Sequence, residues 1–171
     1  MINVRYNFIP NVSQIYNLCK NKIPLYKVED HPGHQDNKTT DSWPGTRSLD
    51  LAESEPFFYL NLMDLIKNKF NVVYSNYVSI DAFVHLRLKN DNHKDWIHTD
   101  QTDTILIYLS PTNLLSGTSF FSDDDQEISN VKFVQNSAVY FDGQIRHKSI
   151  SNYGDNIDDG RMTINIFCHK K

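Results

Sequence analysis

The feature that most constrains the fold is a regular alternation of apolar and polar residues in the middle of the chain. Between residues 79 and 88 the even-numbered positions are all apolar, namely Ile80, Ala82, Val84, Leu86 and Leu88. Successive side chains of a β-strand point to opposite faces, so a period of two places these side chains on one face. The segment therefore predicts a β-strand with one buried face.

Further short segments of strand-like sequence follow, and turn residues separate them. They cover residues 96–98, 104–109, 118–121, 131–134, 138–141, 147–150 and 161–168. About eight strands at such short spacing are typical of a jelly roll or a related sandwich.

Two segments of the first 75 residues have helical periodicity instead. One covers residues 12–20, after Asn11, and the other runs from a predicted cap at Ser54 to about residue 69. Two short strands and a long polar loop complete this part of the chain, at residues 4–9, 25–28 and 29–46. We expect one domain over residues 1–171, in which residues 1–75 support a β-core formed by residues 76–171.

Charge and composition narrow the classes of function. The formal net charge of −4 provides no general basic surface, which argues against nucleic acid as a partner. The two cysteines, Cys19 and Cys168, have neither the spacing of a metal site nor that of a disulfide framework. No apolar stretch approaches the roughly 20 residues that span a bilayer, and the first residues do not resemble a signal peptide. We expect a soluble, cytoplasmic protein without a membrane partner.

The strongest chemical signal lies in the segment 96–100, Trp-Ile-His-Thr-Asp. On an extended strand, His98 and Asp100 project from the same face. With one distant histidine, His147, they have the sequence form of a 2-His-1-carboxylate triad. Such a triad holds a non-haem Fe(II) and leaves coordination positions open.

A second polar set begins at Arg161. In the alternating run that follows, Arg161, Thr163 and Asn165 share one face of a strand. Arginine offers a carboxylate a planar, permanently charged fork. We therefore expect an anionic co-substrate beside the metal. The alternative role for Arg161 is a structural salt bridge, for instance with Asp142.

Between about residues 80 and 167 the chain resembles the Fe(II)/2-oxoglutarate-dependent dioxygenases, most closely the small bacterial and viral members of their prolyl-hydroxylase-like branch. Six landmarks occur in the family's order: His98-x-Asp100, residues 107–110, residues 116–121, residues 137–141, His147, and Arg161-x-Thr163 before an apolar strand. The chain departs from the family at two places. Gly117-Thr118 stands where two glycines are common, and the gap between His147 and Arg161 is longer than usual because it contains residues 151–160.

The resemblance implies a mainly β fold with flanking helices, the double-stranded β-helix, which is a cupin-like jelly roll. It implies that His98, Asp100 and His147 ligate Fe(II). It also implies O2 as the oxidant, 2-oxoglutarate as the co-substrate, ascorbate as a candidate reductant and hydroxylation as the reaction.

For the co-substrate, the resemblance implies that Arg161 pairs with the distal carboxylate of 2-oxoglutarate, with Arg47 as the alternative anchor. Tyr108 and Thr163 are the candidate hydrogen-bond partners. A purely structural role in the core is the alternative for Tyr108.

Candidates for the wall of a substrate pocket are Trp96, Arg47, Trp43 and His85. Pro44-Gly45 suits a type II turn, which would place Trp43 and Arg47 on either side of a tight bend. Core packing is the favoured role for Trp96 and the alternative role for Trp43. His31 and His34, in the same polar stretch, are interpreted as solvated loop histidines.

Three classes of function stay open. The first is an oxygenase acting on a peptidyl residue, or otherwise on a free amino acid or another small molecule. The second is a non-enzymatic jelly-roll binding protein that keeps His98 and His147 as structural groups. The third is a cupin-type metalloenzyme that does not use 2-oxoglutarate; the orientation of Arg161 separates it from the first.

Overall fold

The computed structural model describes residues 1–36, 42–91 and 95–171, and it contains two antiparallel β-sheets. Within these residues the strands are β1 (Ile2–Arg5), β2 (Thr46–Arg47), β3 (Tyr77–Arg87), β4 (Asp103–Tyr108), β5 (Asn113–Phe121), β6 (Glu127–Phe133), β7 (Ala138–Phe141), β8 (Arg146–Ser149) and β9 (Arg161–Lys170). The larger sheet has the order β1-β7-β4-β9-β3-β2, and the smaller has the order β6-β5-β8.

Four helices accompany the sheets in the described residues: α1 (Val12–Asn21), α2 (Pro32–Gln35), α3 (Leu51–Ser54) and α4 (Pro56–Phe70). The helix predicted from Ser54 is thus two helices. Asp50 caps α3 by accepting a hydrogen bond from the Ala52 N–H at 3.0 Å. Pro56 then occupies the first turn of α4, where its missing N–H removes no helical hydrogen bond. The predicted cap at Ser54 is therefore wrong.

One hydrophobic core lies between the helices and one face of the larger sheet. Leu62 and Ile66 of α4 are buried in the same cluster as Ala82 of β3, Ile105 of β4 and Ile164 of β9. The alternation that predicted β3 is the cause, because its even-numbered residues face the helices. Its odd-numbered residues near the C-terminal end of the strand are left to face the interior between the sheets.

A second core fills that interior. Its buried members are Leu106, Tyr108, Phe120, Phe133, Val139 and Phe141, which come from both sheets. Burying an aromatic side chain of this size stabilises the fold by about 1.5–3 kcal/mol relative to leaving it in water. The two sheets therefore form a sandwich, and the predicted mainly β fold with flanking helices is confirmed.

Two predicted strands are reduced to single pairs of residues. In the segment 25–28, only Tyr26 pairs with a neighbour, Arg47, before a 3-10 turn begins at Val28. In the segment 96–98, only His98 pairs, with His147. The polar stretch predicted as a loop contains α2, and its residues 37–41 lie outside the described residues. None of the described helices is long and apolar enough to span a membrane.

Candidate active site

The three residues of the predicted triad lie together between the sheets. His98 Nε2 is 3.6 Å from Asp100 Oδ1, and His147 Nε2 is 3.3 Å from Asp100 Oδ2. One donor atom of each residue lies within 4.8 Å of the other two. For metal–ligand bonds of about 2.1 Å, donors at right angles stand about 3 Å apart. The two distances to Asp100 are close to this spacing, as one face of an octahedral ion requires.

Backbone pairing brings the triad together. His98 and His147 exchange two backbone hydrogen bonds, at 3.0 and 2.9 Å, which join the arm before β4 to β8. The Asp100 N–H donates to the Gly143 carbonyl at 2.9 Å. Backbone pairing thus places the local motif His98-x-Asp100 next to His147, which is distant in sequence.

The imidazole rings are oriented by main-chain carbonyls. His98 Nδ1 lies 2.9 Å from the Trp96 carbonyl, and His147 Nδ1 lies 2.9 Å from the Ile145 carbonyl. A carbonyl only accepts, so each Nδ1 carries the proton and each Nε2 keeps its lone pair for a ligand. Orientation of a metal-binding histidine through its other nitrogen is the usual arrangement in metal sites.

The electrostatic environment keeps two of the donors, His98 and Asp100, in the states that a metal requires. Burial, together with the neighbouring His147, lowers the pKa of His98. Burial alone would raise the pKa of Asp100, but the adjacent His147 imidazole and the hydrogen bond that the Thr104 hydroxyl donates outweigh burial and hold that pKa below its usual value. His98 therefore stays neutral, and Asp100 stays charged, over a wider pH range than usual.

The triad opens into a cavity of about 210 Å³ that Arg161 also lines. Arg161 is 4% exposed, and its Nε has no hydrogen-bond partner among the described residues. One terminal nitrogen makes a long contact, 3.5 Å, with the Gly117 carbonyl. The suggested salt bridge with Asp142 is absent from the described contacts; Asp142 pairs with Lys170 instead.

Arg87, next to Arg161 in the β3–β9 register, has the opposite environment. It is buried and forms ion pairs with Asp91 and Asp95 at 2.8 and 2.7 Å. Burial, helped by the charge of Arg87, lowers the pKa of Arg161. A buried cation without a carboxylate partner among the described residues is costly unless an anion joins it. The cavity is therefore suited to an anionic ligand.

The two predicted hydroxyl partners, Tyr108 and Thr163, are buried and bonded to residues of the cavity wall. The Tyr108 hydroxyl is 2.8 Å from Thr118 Oγ1, and the Thr163 hydroxyl donates to Asn165 Oδ1 at 2.6 Å. Thr118 and Asn165 themselves line the cavity. Sequence reasoning placed Asn165 on the correct face but assigned it no role, and it missed Thr118. Direct contact of Tyr108 or Thr163 with a ligand stays a prediction.

The candidates for the substrate pocket all line the same cavity, Trp96, Arg47, Trp43 and His85. Trp96 is 53% exposed, so the core packing that was favoured for it is wrong. Trp43 is buried, and the Arg47 guanidinium lies 4.9 Å from the centre of a Trp43 ring and 3.5 Å from that of Phe83. Gly45, at φ 76°, has the backbone conformation that the predicted type II turn needs.

A directional hydrogen-bond chain holds this wall. The Pro44 carbonyl accepts from His85 Nε2 at 2.6 Å, so His85 Nδ1 is the acceptor for the Asn165 amide at 3.2 Å. Asn165 in turn accepts from Thr163. Burial lowers the pKa of His85 to about 3, which keeps the ring neutral.

One interpretation in this region is wrong. His31 is not a solvated loop histidine; it is 6% exposed and stacks edge-on against Trp43, with ring centres 4.9 Å apart. His31 also caps α2, because its Nδ1 accepts a hydrogen bond from the Gly33 N–H. Because the cap and the stacking both need the fold, residue order alone did not reveal them.

Comparisons with known proteins support the fold. No family model matches the sequence, and no curated protein is significantly similar to it. A prolyl-4-hydroxylase of Pseudomonas putida superposes with a TM-score of 0.63 at 14% identity, over 99% of this chain and 92% of that one. HygX of Streptomyces hygroscopicus, with nickel, 2-oxoglutarate and hygromycin B bound, superposes with a TM-score of 0.65 at 11% identity, over 98% and 82%.

A third similar structure is the α-ketoglutarate-dependent carbocyclase SnoK from nogalamycin biosynthesis. It has a TM-score of 0.63 at 11% identity, over 96% of this chain and 78% of that one. At such low identities the similarity establishes the fold alone. That fold is the double-stranded β-helix of the 2-oxoglutarate-dependent oxygenases.

Proposed function

We propose that this protein is an Fe(II)/2-oxoglutarate-dependent oxygenase. One observation carries the proposal: a single cavity holds a three-donor group and, on β9, a buried arginine without a carboxylate partner among the described residues. The first suits a divalent metal and the second suits the far carboxylate of a dianion. The fold shared with proteins that use both ligands supports the combination.

Mixed imidazole and carboxylate donors on one face suit non-haem Fe(II) better than the softer metals that prefer thiolate. His98, Asp100 and His147 would hold the ion, and three coordination positions would remain for co-substrate and O2. The bound iron supplies the oxidative chemistry. Overall, substrate C–H, 2-oxoglutarate and O2 become substrate C–OH, succinate and CO2. Ascorbate is a candidate reductant for keeping the iron ferrous.

Arg161 would bind the distal carboxylate of 2-oxoglutarate as a bidentate partner. The buried surroundings strengthen such a pair, because few waters compete for it. Thr118 would supply a hydroxyl from the opposite sheet. This arrangement favours the oxygenase over a cupin-type enzyme without 2-oxoglutarate, since Arg161 turns into the cavity. In an oxygenase the carboxylate of 2-oxoglutarate would pair with the buried charge of Arg161. A jelly-roll binding protein without this co-substrate offers no such partner.

For the substrate, we propose a peptidyl residue, on the analogy of the prolyl-4-hydroxylase. The cavity is smaller than the roughly 300–1,000 Å³ usual for drug-sized ligands. A side chain on an exposed peptide could reach the metal while the rest stays outside, against the exposed Trp96. HygX, crystallised with hygromycin B, supports a small molecule as the second candidate.

The test is to replace Arg161 and Arg47 separately by alanine and measure metal and 2-oxoglutarate affinity. Losing a charge-assisted pair of about 1.5–3 kcal/mol predicts 10- to 100-fold weaker 2-oxoglutarate binding for Arg161→Ala. Its affinity for the metal alone should change less than threefold. Arg47→Ala is the matched control, and a larger effect there would move the anchor to Arg47. Equal loss of both ligands in Arg161→Ala would indicate a structural role and contradict the proposal.

A further inference from the structure

Arg87 joins two parts of the chain at the end of β3. Its Nε donates to Asp91 Oδ2 at 2.8 Å, and its Nη1 donates to Asp95 Oδ1 at 2.7 Å. The side chain of Arg87 is only 4% exposed, so solvent screens these pairs little. Asp95 is thereby attached to the larger sheet.

The other oxygen of Asp95 is held from a different direction. Asn152 Nδ2 donates to Asp95 Oδ2 at 2.8 Å. Asn152 belongs to residues 151–160, the long gap between His147 and Arg161. Both Asp95 oxygens are therefore engaged by protein donors, although Asp95 lines the cavity beside the triad. Asp95 is not available as a competing metal ligand in this arrangement.

The segment 151–160 is itself well anchored. Its Gly154 carbonyl accepts the Lys89 N–H at 3.1 Å, and Asp155 forms an ion pair with Lys89 at 2.7 Å. The Asp158 carbonyl accepts the Tyr16 hydroxyl of α1 at 3.2 Å. Asn152 is thus presented from a segment fixed at several points.

Asp95 directly precedes the residue that orients His98. The Trp96 carbonyl accepts the His98 Nδ1 proton, and the side chain of His98 is the most exposed of the triad, at 38% against 14% for Asp100 and 6% for His147. His98 is consequently the donor with the least packing to hold its ring. Its direction depends on where the backbone at residues 95 and 96 is placed.

We infer that Arg87, Asp95 and Asn152 form a clamp that positions His98 for the metal, and that residues 151–160 serve to supply Asn152. These are positioning residues, since the metal would contact none of them. The inference rests on the proposed function, because it assumes that the triad binds a metal. It gives the long gap after His147 a role in the site.

The experiment measures Co(II) affinity by its d–d absorption in Asn152→Ala and Asp95→Asn. Outer partners of metal ligands typically contribute about 10- to 100-fold in affinity. We expect about tenfold weaker binding for Asp95→Asn, at the lower end of that range, and about fivefold for Asn152→Ala, just below it, because both act through the backbone. Asp81→Asn is the matched control: it replaces a carboxylate of β3 whose Oδ2 lies 2.8 Å from His169 Nε2 on β9, outside the cavity, and it should leave the affinity unchanged.

The same substitutions are then made in a His98→Ala background. If the clamp acts through His98, each should there change the Co(II) affinity less than twofold. In the metal-free protein, Asn152→Ala should also speed the exchange of the His98 Nδ1 proton seen by NMR.

The outcomes separate the two proposals. Unchanged affinity in both clamp variants, or equal losses with and without His98, would overturn the clamp while leaving the oxygenase intact. Failure of the unmodified protein to bind any divalent metal would overturn both. Should Asp95→Asn not fold, Asn152→Ala decides alone, because it leaves every charge of the cluster in place.

Discussion

At the scale of single residues, Asp100 is the donor that joins the two histidines, because each of its oxygens faces one imidazole. Asp100→Ala should weaken metal binding at least about 100-fold and abolish iron-dependent turnover. The metal-free fold should persist, since the carboxylate is replaced by a smaller group at a cavity. Calorimetric metal titration, with melting temperature as the check on folding, measures this. Asp142→Ala, on an acid paired with Lys170, is the control; activity retained in Asp100→Ala would remove the triad assignment.

Arg161 shows the conflict between stability and function. Arg161→Met should keep or raise the melting temperature of the ligand-free protein, because it removes a buried charge that has no carboxylate partner among the described residues. The same substitution should abolish stabilisation by 2-oxoglutarate. Differential scanning fluorimetry measures both effects: the melting temperature without ligand and its increase when 2-oxoglutarate is added. A marked fall in the melting temperature without ligand would show that Arg161 is a structural residue.

His85 predicts a pH dependence of stability. Its pKa is about 3 in the folded state and about 6.5 when unfolded, so below pH 6.5 the unfolded chain binds more protons. Stability is therefore lost as the pH falls from 6.5 towards 3, by about 2 kcal/mol at pH 5 from this residue. His85→Gln, which keeps a donor for the Pro44 carbonyl, should flatten that slope. Urea unfolding at pH 7 and pH 5 measures the free energy of unfolding of the unmodified protein and of His85→Gln. An equal loss of stability between the two pH values in both proteins would refute the assignment.

Which of these residues the sequence could reveal depends on the range of their interactions. His98 and Asp100 were found because a two-residue spacing carries its own geometry. The orientation of each imidazole was not, because each accepting carbonyl lies only two residues earlier but is brought to Nδ1 by a backbone conformation that the long-range pairing of His98 with His147 fixes. The ion pair between Arg87 and Asp95 was missed for the same reason: nothing near Arg87 in the chain marks Asp95 as its partner.

At the scale of elements, β5 contains a backbone position that only glycine satisfies. Gly117 has φ 143°, and a Cβ there would lie 2.1 Å from the Val131 carbonyl oxygen of β6. Its own carbonyl accepts the Ile150 N–H and contacts Arg161. Gly117→Ala should therefore cost about 1–3 kcal/mol from strain and also weaken 2-oxoglutarate binding. Chemical unfolding and co-substrate titration measure the two; a stable variant with normal binding would contradict this account of β5.

Strand prediction succeeded where both neighbours were strands. The segment 138–141 was predicted at the bounds of β7, which lies between β1 and β4. The segments 25–28 and 96–98 have suitable residues but make only isolated pairs, since no long partner runs beside them. The helix expected from Ser54 was divided because Asp50 and Pro56 each start a helix, and both signals lie in the sequence.

At the scale of the whole molecule, the helical part is expected to be inseparable from the β-core. Phe8, Leu62 and Ile66 belong to the same buried cluster as Ala82 and Ile164. A fragment of residues 76–171 would expose one apolar face of the larger sheet, so it should be aggregated or unfolded. Circular dichroism and gel filtration test the fragment. A folded, monomeric fragment would contradict the single-domain prediction.

The central claim is that one cavity binds Fe(II) and 2-oxoglutarate together. The most direct measurement is an anaerobic titration of the iron-loaded protein with 2-oxoglutarate, followed by visible absorption. The account predicts a weak, saturable metal-to-ligand charge-transfer band that is retained in Asp142→Ala and lost in Asp100→Ala. Iron binding without any such band would contradict the account and favour a metalloenzyme that does not use 2-oxoglutarate.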